Sequence, residues 1–167
     1  MLASPTRILT PALLAHLRLE FQLDWRGIHG AAHWARVRYN GLLLARSTGA
    51  DTRVVELFAF LHDARRENDG HDTDHGERAA ELARELDGRL FALDRRAMLQ
   101  LEVAWRDHSA GETRAEATIQ TCWDADRLDL GRVGIRPHPR YLCTEAARDP
   151  GLIERAYGRS IVGWRAR

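Results

Sequence analysis

The sequence predicts an all-α protein, and three observations lead to this prediction. Apolar residues recur at helical spacing along most of the chain, no segment alternates convincingly between apolar and polar residues, and prolines and glycines fall between the periodic segments. A chain of 167 residues is long enough to bury one sizeable core without disulfides. We therefore expect a single domain over residues 1–167, a compact bundle of about six to eight helices.

Three helices are predicted in the first part of the chain. Two are indicated by apolar stripes, which consist of Leu13, Leu14, Leu17 and Phe21 in the first and of Ala32, Ala35, Leu42 and Leu43 in the second. A third is predicted up to Leu61, with Asp51 as its N-cap, because a short carboxylate there can accept a hydrogen bond from the first turn.

Further helices are predicted in the second part of the chain. Thr73 or Asp74 is suited to cap a helix over residues 76–86, and a second helix is expected over residues 94–106. Another is expected to begin after Gly111 and to carry Ala115, Ala117, Ile119 and Cys122 toward Asp124. Pro137 and Pro139 predict that residues 137–167 form a partly irregular tail with one last helix over residues 152–157.

Composition narrows the range of functions. With a formal net charge of +1, the protein has no overall electrostatic attraction to a nucleic-acid polymer or an anionic membrane. Cys122 and Cys143 lack metal-type spacing and are expected to be reduced packing residues. Residues 1–19 contain no apolar run long enough for export or membrane spanning, so we expect a cytoplasmic protein.

The most informative local feature is the pair His62 and Asp63, which closes the apolar run of residues 54–61. Both side chains are costly to desolvate at the end of a buried segment unless something compensates them, and a divalent cation would do so. A second pair, His71 and Asp72, lies in a polar, glycine-containing stretch that is typical of a loop.

Two further segments give the pair a context. The string His33-Trp34-Ala35-Arg36-Val37 precedes it, and Trp123-Asp124-Ala125-Asp126-Arg127-Leu128-Asp129 follows, after His108-Ser109 and before Arg132-Val133-Gly134-Ile135. This ordered set resembles the HD-domain superfamily of metal-dependent phosphohydrolases, in particular its small single-domain bacterial members. The matches cover roughly residues 25–136, the motif-bearing core of the chain.

The resemblance implies an α-helical domain that holds one divalent ion through His33, His62, Asp63 and Asp126. Such nitrogen and oxygen ligands suit Mn²⁺, Fe²⁺, Co²⁺, Ni²⁺ or Mg²⁺ better than a closed structural zinc site. Since a bound ion of this kind activates water and offsets charge on phosphorus, hydrolysis of a phosphoester or phosphoanhydride is the expected reaction. Asp63 is expected to orient or deprotonate the water.

Other residues are candidates for the same pocket. His75 and His108 are expected to face substrate, either one as a general acid for the leaving group. Arg65 and Arg66 follow the metal pair and are the first candidates for phosphate contact, with Arg127, Arg132 and Arg136 as alternatives. As ligands, His29 is a weaker rival of His33, and Asp124 is a weaker rival of Asp126. Asp129 is either a support for a ligand or part of a solvated ion pair. The five tryptophans are expected in the core.

The expected function is therefore hydrolysis of a small phosphorylated substrate such as a nucleotide, and a homodimer is compatible with the sequence. The main alternative is a helical module that uses the same metal pocket to sense a nucleotide without turnover. A purely structural helical protein is the third interpretation. No Gly-Tyr-Pro signature follows the His-Asp pair, so the cyclic-dinucleotide phosphodiesterase subtype is not supported.

Overall fold

The computed structural model describes residues 7–162, and these contain seven α-helices. They are α1 (Pro11–Glu20), α2 (Ala31–Thr48), α3 (Thr52–Leu61), α4 (His75–Leu86), α5 (Arg95–Asp107), α6 (Ala117–Arg127) and α7 (Pro150–Val162). Two short 3-10 helices, Leu130–Val133 and Pro139–Tyr141, lie between α6 and α7. Residues 7–162 contain no β-strand, which confirms the all-α prediction. Trp164 and both ends of the predicted domain lie outside the described residues.

Several helix ends lie where the sequence predicts them. Asp51 caps α3 by accepting a hydrogen bond from the backbone N–H of Arg53, and Asp94 caps α5 by accepting one from Ala97. Asp74 occupies the N-cap position of α4 but makes no side-chain capping bond. The starts of α3 and α5 depend on local hydrogen bonding, which is why sequence alone locates them.

The core is centred on α2, which packs against both α3 and α6. The larger buried cluster surrounds Trp34, Trp105 and Trp123, and α4 and α5 complete it. A smaller cluster joins Ile153 of α7 to Leu44 of α2. Cys122 and Cys143 are buried free thiols, as predicted.

The apolar stripe that predicts α2 is confirmed as helical, but it does not form the buried face of this helix. Ala32 is exposed, and Ala35, Leu42 and Leu43 are only half-buried; they line part of an outer groove of about 400 Å³. The buried face instead carries a mixture of apolar and polar residues, which are His33, Trp34, Arg36, Val37, Asn40, Gly41, Leu44 and Ala45. An apolar stripe therefore identified the outer face, because the polar groups of the candidate site occupy the inner one.

Two other boundaries differ from the predictions. Ala115 precedes α6, which begins at Ala117, and α7 is a full helix of 13 residues rather than a short segment within an irregular tail. The buried residues Ile153, Ala156 and Ser160 show why α7 is long: one of its faces packs on the rest of the bundle. None of the helices in residues 7–162 combines the length and apolarity that crossing a membrane requires.

Candidate metal centre

Three helices bring the predicted ligands together. His33 lies in the first turn of α2, His62 and Asp63 follow the last turn of α3, and Asp126 lies in the last turn of α6. The Nε2 atom of His33 lies 2.9 Å from Nε2 of His62 and 3.5 Å from one oxygen each of Asp63 and Asp126. Because α2 packs against both α3 and α6, residues far apart in sequence form a single cluster of two imidazoles and two carboxylates.

The ring nitrogens of this first pair are oriented for a cation. His33 donates its Nδ1 hydrogen to Asp129 at 2.7 Å, and His62 donates its Nδ1 hydrogen to the Phe58 and Ala59 carbonyl oxygens at 3.1 Å. Each neutral ring then directs the Nε2 lone pair at the other ring. Two facing lone pairs repel each other unless a proton or a metal ion lies between them, so this geometry fits a metal site.

The two rings of this pair differ in their tendency to bind a proton. Burial, together with the neighbouring His33, lowers the pKa of His62 to about 3 despite the Asp63 charge, so His62 is neutral at physiological pH. Burial and Arg132 act against protonation of His33, but its hydrogen bonds to Asp129 and Asp63 raise its pKa. A proton and a metal ion compete for the same Nε2 lone pair, and His33 is where that competition occurs.

Asp126 supplies an independent indication. Its Oδ1 atom is buried and has no hydrogen-bond partner among residues 7–162. Burial opposes ionisation of this carboxyl, but Arg132 and the surrounding histidines hold its pKa below the usual value. An ionised oxygen that accepts no hydrogen bond inside a protein is costly, and a metal ion at this cluster would satisfy it.

A second cluster lies next to the first. His75 begins α4 and His108 follows α5, and their Nε2 atoms are 2.7 Å apart. Both rings donate their Nδ1 hydrogen to a backbone carbonyl oxygen, His75 to Asp72 and His108 to Trp105, each at 2.5 Å. This cluster therefore repeats the facing lone pairs of the first one. Burial and the nearby His108 lower the pKa of His75, which favours the neutral, metal-binding form.

Gly76 permits this second approach. An ideal Cβ at this position would lie 3.2 Å from the Trp105 carbonyl carbon and closer still to its oxygen. The backbones of α4 and α5 can meet here only because Gly76 has no side chain. The preceding residue, His75, thereby comes within reach of His108.

Asp63 belongs to both clusters. Its Oδ2 lies 3.5 Å from Nε2 of both His33 and His62, whereas its Oδ1 lies 3.7 Å from Nε2 of His75. His29 donates a hydrogen bond to Oδ2 at 2.7 Å, so this histidine, a weaker candidate from sequence, supports the shared carboxylate. Although burial opposes ionisation, the surrounding histidines hold the pKa of Asp63 well below its usual value. A carboxylate of this kind can bridge two metal ions.

Asp129 orients His33 from behind. Its buried carboxylate accepts hydrogen bonds from Nδ1 of His33 at 2.7 Å and from Arg36 at 2.6 and 3.1 Å. A carboxylate behind a histidine fixes the tautomer that a metal requires and increases the basicity of the ring. Of the two roles considered from the sequence, the structure favours support of a ligand over a solvated ion pair.

A cavity of about 380 Å³ opens beside the clusters, lined in part by Asp63, His108 and Asp126. Arg66 lies in its wall with NH1 at 3.4 Å from Asp63, and Arg132 lies in its wall with NH2 at 3.5 Å from Asp126. The cavity thus joins candidate metal ligands to guanidinium groups, which is the combination that phosphate recognition requires.

Two of the arginines singled out from the sequence have other partners. Arg65 pairs with Glu20 at 3.2 Å and Glu85 at 2.8 Å, away from the cavity lining. Arg127 lines the cavity, but its guanidinium donates to the backbone carbonyl oxygens of Tyr141 and Glu112. These positions give no support to a substrate-binding role for Arg65, and they show a structural role for Arg127.

Asp124 and the second His-Asp pair also have structural positions. Asp124 accepts hydrogen bonds from the backbone N–H groups of Cys143 and Thr144 at 2.6 and 2.8 Å, which ties α6 to the segment before α7. His71 is exposed, whereas Asp72 accepts from Arg78 and holds the loop after α3 against α4. Neither carboxylate belongs to the metal clusters.

Sequence reasoning assigned no cavity role to several residues of the wall, among them Ile135 and Tyr141. Tyr141 lies in the stretch that two prolines identified only as irregular, and Ile135 was noted only as part of the ordered motif set. The available signal was their apolar character in an otherwise polar stretch, and both are more than half exposed at 54% and 52%.

Comparison with known proteins agrees with this geometry. No family model matches the chain, and no curated relative matches it. Among solved structures, the chain is similar to the crystal structure of a predicted HD superfamily hydrolase from an uncultured Thermotogales bacterium. The two are 26% identical with a TM-score of 0.66, and the match covers 89% of this chain and 85% of the other.

The likeness and the His/Asp clusters together support a metal-dependent hydrolase at the level of the superfamily. Three observations indicate the same fold: the helical architecture, the clustering of the motif residues and the similarity to the solved neighbour. The chain has the HD-domain fold.

Proposed function

We propose that the protein is a metal-dependent phosphohydrolase that cleaves a phosphoester or phosphoanhydride bond of a small phosphorylated molecule. The observation that carries this proposal is that two pairs of facing imidazoles share carboxylates with a neighbouring cavity, whose wall contains Asp63, Asp126 and two arginines beside them. A nucleotide is a suitable substrate of this kind. The proposal includes a cytoplasmic protein that acts on neither a nucleic-acid polymer nor a membrane.

The donor set fits divalent metal ions, and it accommodates more than the single ion expected from the sequence. His33, His62, Asp63 and Asp126 would hold one ion, and Asp63, His75 and His108 would contribute to a second. When bound, such ions supply Lewis-acid chemistry that activates water and offsets negative charge at phosphorus. Mn²⁺, Fe²⁺, Co²⁺, Ni²⁺ and Mg²⁺ all accept these ligands.

The residues of the chain have separate tasks in this proposal. Asp63 is shared by both clusters and orients the attacking water, while His29 holds its carboxylate in place. Arg66 is directed at the substrate from beside Asp63. Because Nδ1 of both His75 and His108 is bound to a carbonyl oxygen, their Nε2 lone pairs suit metal binding better than the general-acid role expected from the sequence.

The test is release of phosphate or pyrophosphate from a panel of nucleotides and simple phosphoesters. Chelated protein is resupplied with each of the five metals, and His62→Ala and Asp126→Ala are measured beside the wild type. Glu154→Ala, which removes an exposed carboxylate of α7, is the control. We expect turnover that depends on metal and is lost in both site variants but retained in the control.

Two results would reject the enzyme. Metal and nucleotide binding without turnover would favour the sensor that is the main alternative. Turnover that survives both chelation and the two site variants would show that the activity arises elsewhere.

A further inference from the structure

Arg132 is directed at the candidate centre by two backbone contacts. Its Nε donates to the Ile28 carbonyl oxygen at 3.1 Å, and its NH1 donates to the Asp129 carbonyl oxygen at 3.2 Å. NH2 lies 3.5 Å from Asp126 and makes no hydrogen bond within residues 7–162. The side chain is only 8% exposed and lines the cavity. Arg132 thus presents free N–H donors at the wall where Asp126 lies.

Arg66 is held in the same way beside the other carboxylate. Its Nε donates to the Asn68 carbonyl oxygen at 3.1 Å and its NH2 donates to the Gly70 carbonyl oxygen at 2.7 Å. NH1 donates a hydrogen bond to Oδ1 of Asp63 at 3.4 Å, and the side chain is 9% exposed. The loop after α3 therefore fixes the direction of this guanidinium before any ligand binds.

These two guanidiniums flank the carboxylates of the first cluster, one beside Asp63 and one beside Asp126. A terminal phosphate group carries close to two negative charges near neutral pH and has three oxygens that accept hydrogen bonds. Two fixed guanidiniums match that charge and geometry better than the single diffuse charge of a phosphodiester.

The same cavity has an apolar side. Ile135 and Tyr141 line it, although each is more than half exposed to solvent. Two neighbouring side chains position the Tyr141 ring: the Arg140 guanidinium lies 4.4 Å from its centroid, and the His138 ring contacts it edge-on at 6.2 Å. An exposed, positioned aromatic ring at the wall of a polar cavity is suited to contact a planar group.

Resting on the proposed function, we infer that the substrate is a phosphate monoester with a planar organic group. Its phosphate binds between Arg66 and Arg132, and its organic group contacts Tyr141 and Ile135. Arg132 and Tyr141 are then substrate-binding residues with different targets: the first recognises any terminal phosphate, and the second selects among leaving groups.

The role of Tyr141 is tested by comparing two substrates that share a phosphate. KM and kcat are measured with phenyl phosphate and with ethyl phosphate for the Mn²⁺-loaded protein. We expect Tyr141→Ala to raise KM for phenyl phosphate about three- to tenfold more than it raises KM for ethyl phosphate. Tyr141→Phe retains the ring and keeps the wild-type KM. Leu99→Ala, at an equally exposed position of α5, is the control.

The role of Arg132 is tested by binding rather than turnover. Calorimetry measures the affinity for inorganic phosphate with chelated and with Mn²⁺-loaded protein. We expect Arg132→Met to weaken phosphate binding about tenfold or more, because it removes charged hydrogen bonds. Arg132→Lys keeps the charge and weakens it less. Arg136→Met is the matched control, since Arg136 is exposed and pairs with Glu154.

The outcomes separate this inference from the proposed function. If turnover depends on metal but Tyr141→Ala affects phenyl and ethyl phosphate equally, the inference is overturned and the function stands. The same holds if turnover depends on metal but Arg132→Met binds phosphate as tightly as Arg136→Met does. Absence of turnover with any metal rejects the function. In that case, the binding measurements decide whether the site has this specificity. Weaker phosphate binding in Arg132→Met, together with weaker competition by phenyl phosphate in Tyr141→Ala, supports a binding site of the same specificity.

Discussion

Replacing Asp129 by alanine should damage both the stability of the protein and its affinity for metal. The carboxylate is 1% exposed and accepts three hydrogen bonds, one from His33 and two from Arg36. Without it, the Arg36 guanidinium stays buried with no carboxylate partner, and the Nδ1 hydrogen of His33 loses its acceptor. Both consequences follow from the same atom positions.

The magnitude follows from the burial of these groups. Breaking a buried ion pair by removing one partner costs about 3–5 kcal/mol, because an uncompensated charge remains inside. Loss of the group that orients a metal-binding histidine lowers metal affinity by about 10- to 100-fold. Glu154→Ala provides the control, since its pair with Arg136 has side chains 57% and 62% exposed and should contribute at most about 1 kcal/mol.

Denaturant unfolding of chelated protein measures the stability, and competition with a metal-binding dye measures the affinity. Asp129→Asn separates the two effects: its amide oxygen can still accept from His33, but it removes the charge that Arg36 requires. We expect this variant to lose stability while retaining more metal affinity than Asp129→Ala. If Asp129→Ala unfolded at the same denaturant concentration as Glu154→Ala and bound metal as the wild type does, the reasoning would be refuted.

Three further predictions concern the surrounding structure. Gly76→Ala should destabilise the protein by about 1–2 kcal/mol in denaturant unfolding, because a clash with the α5 backbone exceeds the gain in helix propensity. The same substitution should weaken metal binding at the second cluster. Gly158→Ala is the control and should be neutral or stabilising, because a Cβ at this position meets nothing. Cys122 and Cys143 should not react with a thiol reagent in the native state, because burial raises both pKa values, that of Cys143 to about 12; rapid native labelling of either would contradict this. Asp72→Asn should lower the melting temperature at neutral pH, and the difference from wild type should shrink as pH falls below about 4.

The sign of the Asp72 effect follows from its contacts. Burial raises the pKa of this carboxyl, but the hydrogen bond from the Glu67 backbone and the Arg78 guanidinium outweigh burial and leave the pKa below its ordinary value. A lowered native pKa adds stability above the unfolded pKa, and that stability is lost as pH falls through the native value. A difference between Asp72→Asn and wild type that grew on acidification would contradict this sign.

How far sequence reasoning reaches depends on the range of the interactions involved. The ends of α3 and α5 could be predicted because Asp51 and Asp94 act on the backbone of their own first turns. The buried face of α2 could not, because His33 and Arg36 are buried through contacts with Asp129, more than ninety residues away. Apolar periodicity does not identify a buried polar face, because such a face is stabilised by hydrogen bonds and ion pairs to distant residues.

The same contrast between local and long-range interactions applies to the candidate site. The four predicted ligands of one ion came from a resemblance in motif order, and the structure brings all four together. The pairing of His75 with His108 depends on the close approach of α4 and α5 at Gly76, which no local pattern reveals. Tyr141 joins the cavity only through the path of the chain between α6 and α7.

The proposed activity depends most directly on metal binding by the two clusters. The decisive measurement is the number of Mn²⁺ ions retained per chain after equilibrium dialysis, for wild type, His62→Ala and His108→Ala. We predict two ions in the wild type, with His108→Ala keeping the ion of the first cluster and His62→Ala losing it. A wild-type protein that retains no ion, or folded variants that retain as many ions as the wild type, would contradict the central claim.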